Sequence, residues 1–260
     1  MMTDLFSTFS SDLFGRQSAA VTGGSGGIGR ATALALARLG ANVAGGYRRS
    51  QQEADDACRQ AAANGANAVP IQVDVMQTDQ VHRFMEQAVE AIGPLDMLIN
   101  CAGTWPEAMV YQMEDQEWTD TIATNLYGTY YTCKVASKLM TKRRSGRIVN
   151  FSSITTDRGA RTSHAHYATE KAGVSAFTRS LAYELAPYNV TVNSVAPGMI
   201  RTKITGAALK QREEQYLEQI PLSRIGSPDE VASLVVYLVS PPAAYITGQV
   251  IHVNGGMWMS

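Results

Sequence analysis

Tyr167 stands four residues before Lys171 in the run HYATEK. On a helix that spacing sets a phenol and an ammonium on one face. A tyrosine with an ordinary pKa near ~10 is almost fully protonated at neutral pH. A neighbouring cation stabilises the phenolate and lowers that pKa. The pair can therefore give a proton to a carbonyl oxygen or take one from an alcohol. Tyrosine and lysine meet at this spacing by chance as well, so the chemistry needs further groups. Ser152 and Ser153 close GRIVNFSS, where a hydroxyl at a strand end can hydrogen-bond a developing alkoxide. Asn125, in TNLYG, is a mediocre helix former inside a helical pattern and a candidate to hold a water between Lys171 and solvent. His164 and His166 flank the same segment. No nearby cysteine or carboxylate set completes a metal site, so no metal is expected.

The elements that must position these groups alternate between β-rich runs and helical patterns. SAAVTGG, ANVAGGY, AVPIQVDV, LDMLINCAG, GRIVNFSS, VTVNSVAPG and ITGQVIHVNGG read as strands. Between them lie helical runs that include RATALALARLG, QEADDACRQAAANG, DQVHRFMEQAVEAIG, a long pattern over about 115–142, and 167–186. A late helix, SPDEVASLVVYLVS, has Ser227 as its N-cap and Pro228 at its first position. This order predicts an α/β fold, a single-domain Rossmann-type doubly wound parallel sheet with helices on both faces. No linker or composition shift divides the chain. Residues 1–17 are expected to be an N-terminal extension and 18–260 the domain proper.

A glycine-rich turn, TGGSGGIG at 22–29, joins the first strand to the first helix. Gly23 can take the tight turn, Gly27 lets backbone approach a pyrophosphate, and Gly29 lets helix and strand pack closely. With Ser25 and Ile28 these residues form a candidate cradle, in which helix N-terminal N–H groups face phosphate. A dinucleotide is the ligand this context suggests. The second strand ends in GYRRS, with no acid where a ribose 2′-OH would be bound and with Arg48 available to a 2′-phosphate. NADP(H) is therefore expected in preference to NAD(H). Asp74, with Val75 beside it, ends the third strand and can accept from an adenine amino group; a turn-capping role is the plain alternative. Asn100, Ala102 and Gly103 lie in NCAG at the end of the fourth strand. Every candidate falls at a strand's carboxyl end, where ligands of such sheets bind. With an oxidised nicotinamide bound, a second positive charge would join Lys171 beside Tyr167, and Lys171 could also bond the nicotinamide ribose.

The chain has 260 residues, a net charge of −1 and 45% hydrophobic residues. Near-neutral charge gives no nucleic-acid footprint. No apolar run approaches the roughly 20 residues of a membrane span, and MMTDLFSTFSSDLFGRQS lacks the pattern of a signal peptide. Leu5, Phe6, Phe9, Leu13 and Phe14 suggest an amphipathic arm, either a mobile tail or a packing arm. Cys58, Cys101 and Cys133 form no CxxC pair, which suits a reduced, cytoplasmic protein.

Taken in order, TGGSGGIG, NCAG, Asn125, Ser153 and YATEK resemble the classical short-chain dehydrogenase/reductase family from about Ser18 to Met259. The resemblance implies Ser153, Tyr167 and Lys171 as the catalytic set, Asn125 as part of a proton relay, and hydride transfer between nicotinamide C4 and a carbonyl carbon. Pro197, Gly198, Ile200 and Thr202, in VAPGMIRT, match the family segment that contacts the nicotinamide end. NVTVNSVAPGMIRT, IPLSRIGSPDEVASLVVYL and AAYITGQVIHVNGGMWM are most similar to the 3-oxoacyl-(acyl-carrier-protein) reductases. That likeness implies an acyl-thioester substrate, an acyl carrier protein as candidate partner, and a homotetramer. Its interfaces would be the helices at about 115–142 and 167–186 and the C-terminal strand.

The chain also departs from the pattern. Cys101 replaces a customary asparagine, and the Ser153–Tyr167 gap is one residue longer than usual, which leaves Ser152 as a rival. The intervening loop carries Asp157, Arg158 and Arg161. Of two carrier-binding arginines, Arg144 matches one, in a cluster with Lys142, Arg143 and Arg147, while Tyr188 occupies the other place. A reductase or dehydrogenase of another ketone or secondary alcohol is the alternative reading. Trp105, Met109 and Met199 are candidates for the substrate pocket. The segment at about 200–219 is expected to cover the substrate as a mobile segment.

Overall fold

Alternating side chains along each strand divide the apolar interior into two layers. In β1 (Ser18–Thr22), Ala19 and Val21 enter one cluster and Ala20 the other. In β4 (Leu95–Asn100), Met97 and Ile99 oppose Leu98 in the same way. Both faces of the sheet must therefore be covered, as a fully parallel sheet requires. The computed structural model describes residues 5–15, 17–160 and 163–259. Arg161, assigned above to a polar loop, lies outside them.

The other strands are β2 (Asn42–Tyr47), β3 (Ala68–Gln72), β5 (Gly146–Phe151), β6 (Val190–Pro197) and β7 (Val250–Val253). All seven are parallel, in the order β3-β2-β1-β4-β5-β6-β7. Pro70, which cannot donate to a ladder, sits on the edge strand β3. The order reverses between β1 and β4, which opens a crevice at their carboxyl ends. One layer holds α1 (Gly27–Arg38), α2 (Gln51–Ala62) and α9 (Pro228–Val239). The other holds α3 (Thr78–Ile92), α5 (Gly128–Arg143) and α7 (Ala165–Leu185).

The long helical pattern over 115–142 is not one continuous α-helix. It comprises α4 (Asp115–Ile122), a turn of π-helix (Ala123–Tyr127) and α5. Such turns widen the hydrogen-bond ladder, frequently at functional sites, and this one holds Asn125. Apolar periodicity alone does not reveal the single-residue change of register. Short α6 (Thr155–Arg158) follows β5, and the expected cover folds as α8 (Lys203–Leu217), with Thr202 forming a capping box with Thr205. Ser227 caps α9, as expected, and the structure adds a reciprocal bond to Glu230. Beneath α8 a third apolar cluster gathers Ile154, Met199, Leu209, Ile220 and Met257.

The N-terminal arm packs. Phe14 is 1% exposed within the α1–α9 layer, and Phe6, Phe9 and Leu13 lie against it, while Leu5 stays exposed. The Phe14 N–H donates to Leu39 O at 3.0 Å, which ties the arm to the end of α1. Among the described residues, no helix is long and apolar enough to cross a membrane.

Candidate active site

The turn after β1 is shaped by what its glycines lack. Gly23 has φ +67°, and a Cβ there would come 3.0 Å from the Ala102 nitrogen. A Cβ on Gly29 would come 2.3 Å from Gly23 O, so only glycine lets α1 begin beneath its own turn. Gly26 is the N-cap of α1, and no side chain caps the first N–H groups. They stand at the wall of a cleft of about 590 Å³ that Gly23, Ser25, Gly27, Ile28 and Gly29 line. A bare helix N-terminus in a glycine cradle fits a pyrophosphate. Ala102 and Gly103 line the same cleft, and the Ala102 N–H donates to Thr22 Oγ1 at 3.1 Å, joining the two strand ends. Pro197, Gly198, Ile200 and Thr202, from the end of β6, complete this side.

Ser153, Tyr167 and Lys171 meet in that cleft. One turn of α7 separates phenol and ammonium, and Lys171 Nζ lies 5.4 Å from the Tyr167 ring centre. Nζ also donates to Phe151 O at 3.0 Å, so the end of β5 fixes the lysine head. Ser152 is 2% exposed and its hydroxyl donates to Val195 O at 3.3 Å, whereas the Ser153 Oγ accepts from the Thr155 N–H at 3.2 Å and its own proton stays available to the cleft. This geometry favours Ser153 over its rival.

The balance of charges differs from the simple expectation. Burial pushes the Tyr167 phenol above its ordinary pKa and Glu170 adds to the rise; Lys171 and nearby Ser153 act in the opposite direction and do not overcome it. Burial alone would lower the pKa of Lys171, but Glu170 and Tyr167 outweigh it and hold the ammonium above its usual value. Local spacing predicts the lysine's effect on the phenol. It does not predict how much water the fold removes.

Asn125 is 1% exposed and does not line the cleft. Its side chain clamps the backbone of Thr104 and donates to Glu170 Oε1 at 2.8 Å. Glu170 escapes the motif reading. It is fully buried, its Oε1 lies 3.4 Å from Lys171 Nζ, and burial pushes its pKa up to about 7 against the pull of Lys171 and Asn125. The signal for it was an acidic residue on the inner face of a packed helix, adjacent in sequence to the lysine.

The remaining cofactor candidates stand apart from the cleft lining. Asp74 Oδ1 accepts from Met76 N–H at 3.0 Å, the turn-capping role, and Val75 packs in the layer of α3 and α5. The Asn100 amide donates to Asn150 Oδ1 at 2.8 Å, and its oxygen accepts from Thr132 at 2.7 Å. Its side chain is thus part of the interior, where it holds β4, β5 and α5 together. Arg48 is half-buried at the end of β2, and its carbonyl accepts from Gln72 at 3.1 Å.

Beyond Tyr167 the cleft is walled by Trp105 and His164, stacked with ring centres 4.6 Å apart, and by Met199, Met257 and Tyr216. Met109 is outside the lining, 37% exposed. Arg212 ion-pairs with Glu107, so α8 is fastened to the loop after β4. In the basic cluster, Arg143 bonds Asp96 at 2.8 Å. Arg144 donates to Pro187 O at 2.7 Å and lies 5.7 Å from the Tyr188 ring centre. Tyr188 thus packs against Arg144 itself.

Known proteins resemble this chain over most of its length. The family model described as Enoyl-(Acyl carrier protein) reductase matches residues 23–258. The 3-oxoacyl-[acyl-carrier-protein] reductase FabG of Staphylococcus aureus is 43% identical over 243 residues, which span 94% of this chain and 98% of that protein. The enzyme of the same name from Aquifex aeolicus is 40% identical over 240 residues, 92% of this chain and 96% of its own. The crystal structure of gox2181 superposes with a TM-score of 0.89 at 32% identity, covering 93% of this chain and 95% of that one.

Proposed function

This chain belongs to the short-chain dehydrogenase/reductase family, and from that premise we propose that it reduces a 3-oxoacyl thioester to the 3-hydroxyacyl thioester. The observation that carries the reading is the convergence of Ser153, Tyr167 and Lys171 in the same cleft as the glycine cradle. When bound there, a reduced nicotinamide cofactor supplies a hydride to the carbonyl carbon. Ser153 holds the carbonyl oxygen by hydrogen bonding, and Tyr167 gives that oxygen its phenolic proton as negative charge develops. Lys171 steadies the phenolate left behind. The third apolar cluster and the Trp105–His164 stack exclude water from the substrate side.

The relatives' names supply the thioester and its acyl carrier protein. The cofactor proposed is NADP(H), on the ground that Arg48 stands at the end of β2 where an acid would select NAD(H). A homotetramer is supported by exposed Tyr130 on α5 and Tyr183 on α7, and by the open edge of β7. The compartment proposed is the cytoplasm, consistent with three free cysteines.

The test is NADPH oxidation with an acetoacetyl thioester, offered on a carrier protein and on a short pantetheine mimic. Simple cyclic and aryl ketones run in parallel. Preference for the carrier-bound form supports the proposal and makes the surface around Arg144 its docking site. Turnover of free ketones alone moves the chain to reduction of another ketone, the reading that Tyr188 in place of an arginine favours. Tyr167→Phe should abolish turnover with NADPH binding retained.

A further inference from the structure

A carboxylate taken out of water is destabilising unless it is paired. Glu170 is fully buried, and its Oε1 takes both the Asn125 amide, at 2.8 Å, and the field of Lys171, at 3.4 Å. Its Oε2 is buried with no hydrogen-bond partner. Neither hydride delivery nor proton donation to the carbonyl requires this acid. A neutral side chain of the same size would fill the space without the desolvation penalty.

Position gives the acid a use. From its own helix, Glu170 acts on Lys171, the next residue, and on Tyr167, one turn earlier. From the π-turn it meets Asn125. His166, one turn before it on α7, faces Glu117 of α4, with Nε2 3.8 Å from Glu117 Oε1. From the end of β4, Cys101 borders Lys171, and its thiol is held neutral by burial. Lys171 thus sits between two groups that compete for its charge, the phenol and the carboxyl. A lysine alone beside a tyrosine favours phenolate. A second anion on the lysine cancels part of that pull and makes a further negative charge on the phenol costlier.

We propose that Glu170 is a positioning residue that holds the Lys171 ammonium in place and, by making negative charge on the Tyr167 phenol costlier, sets the alkaline limit of carbonyl reduction. The proposal rests on Tyr167 being the proton donor. Burial, against Lys171 and Asn125, brings the Glu170 carboxyl up to about 7, so its charge is lost within the working range. Above that pH the carboxylate restrains phenolate formation; below it the restraint is released.

The experiment is the pH profile of kcat/KM for carbonyl reduction in wild type, Glu170→Gln and Glu170→Met, with Glu170→Asp as the charge-retaining control. Gln keeps an acceptor for Asn125 but no charge. Met fills the space, and replacing a buried ion by an apolar group is often neutral or stabilising. Activity falls at high pH as the phenol deprotonates. In Gln and Met that alkaline limb should move to lower pH, with the KM for NADPH unchanged, and Asp should restore it toward wild type. An unmoved limb in folded Gln and Met variants overturns the proposal, because a space-filling residue would leave the profile alone. Failure of both variants to fold also overturns it, by making Glu170 structural. Tyr167→Phe is run alongside. Turnover surviving in it defeats the donor reading itself; an inactive Tyr167→Phe with an unmoved limb defeats only the role of Glu170.

Discussion

Asn125 and Thr104 hold each other by a reciprocal pair of hydrogen bonds. The Thr104 N–H donates to Asn125 Oδ1 at 2.8 Å, and the Asn125 amide donates back to Thr104 O at 2.9 Å. An asparagine side chain has the donor and acceptor needed to satisfy a peptide unit in this way. Through this clamp the π-turn fixes the loop after β4, which carries Trp105 on the substrate side and Gly103 in the cleft. Asn125→Ala leaves two part-buried backbone groups of Thr104 and the buried Glu170 without this partner. We expect a stability loss of about 1–3 kcal/mol, read from denaturant unfolding, with a lower kcat at 25 °C. Wild-type stability in that variant would show that the clamp is replaced by water.

Arg48 tests the cofactor. Arg48→Ala should weaken NADPH binding by roughly 10- to 100-fold, the range for loss of a charge-assisted bond to phosphate, and leave NADH nearly unchanged. Titration of cofactor fluorescence with both nucleotides decides it. Equal losses would remove Arg48 from the 2′-phosphate.

Phe14 tests whether the arm belongs to the core. At 1% exposure in the α1–α9 layer, it should behave as a core aromatic despite preceding the first strand. Phe14→Ala should cost about 3–5 kcal/mol, whereas Leu5→Ala, at an exposed position, should cost less than about 0.5 kcal/mol. Chemical denaturation of both variants measures the contrast. A neutral Phe14→Ala would show that the arm adheres without contributing to the fold.

Glu230 gives a pH dependence of stability. Hydrogen bonds from Arg224 depress its carboxyl pKa to about 2, and a bond from the Ser227 N–H adds to this against desolvation. A depressed folded-state pKa gives stability that is present above the unfolded carboxylate range and lost as pH falls through the folded value. Glu230→Gln keeps the capping-box acceptor and loses the charge. Since Arg224 is 55% exposed, the cost at pH 7 should be modest, about 0.5–1 kcal/mol. The difference from wild type should shrink as pH falls from about 4.5 toward about 2. A gap that persists at the acid end would assign the effect to packing.

Some of this protein is determined by local pattern. Runs of buried strand residues, helical periodicity and the glycine turn specify a doubly wound parallel sheet, because each reflects backbone geometry acting over a few residues. Tyr167 and Lys171 share a helical face by spacing alone, and Ser227 caps α9 by its identity and position. Other features depend on which segments the fold brings together. The π-turn changes the register of a helical pattern by too little for periodicity to show. Asn100 reads as a strand-end ligand until Asn150 and Thr132, distant in sequence, occupy its side chain. Glu170 is an ordinary helix residue until α7 packs its face inward against the π-turn and removes it from water. Desolvation sets the protonation of Tyr167, Glu170 and Lys171, and it depends on the surrounding protein, not on the neighbouring letters. The sequence by itself therefore determined the fold and the helical face shared by the proposed reacting groups Tyr167 and Lys171, and only the tertiary structure decided their electrostatic balance.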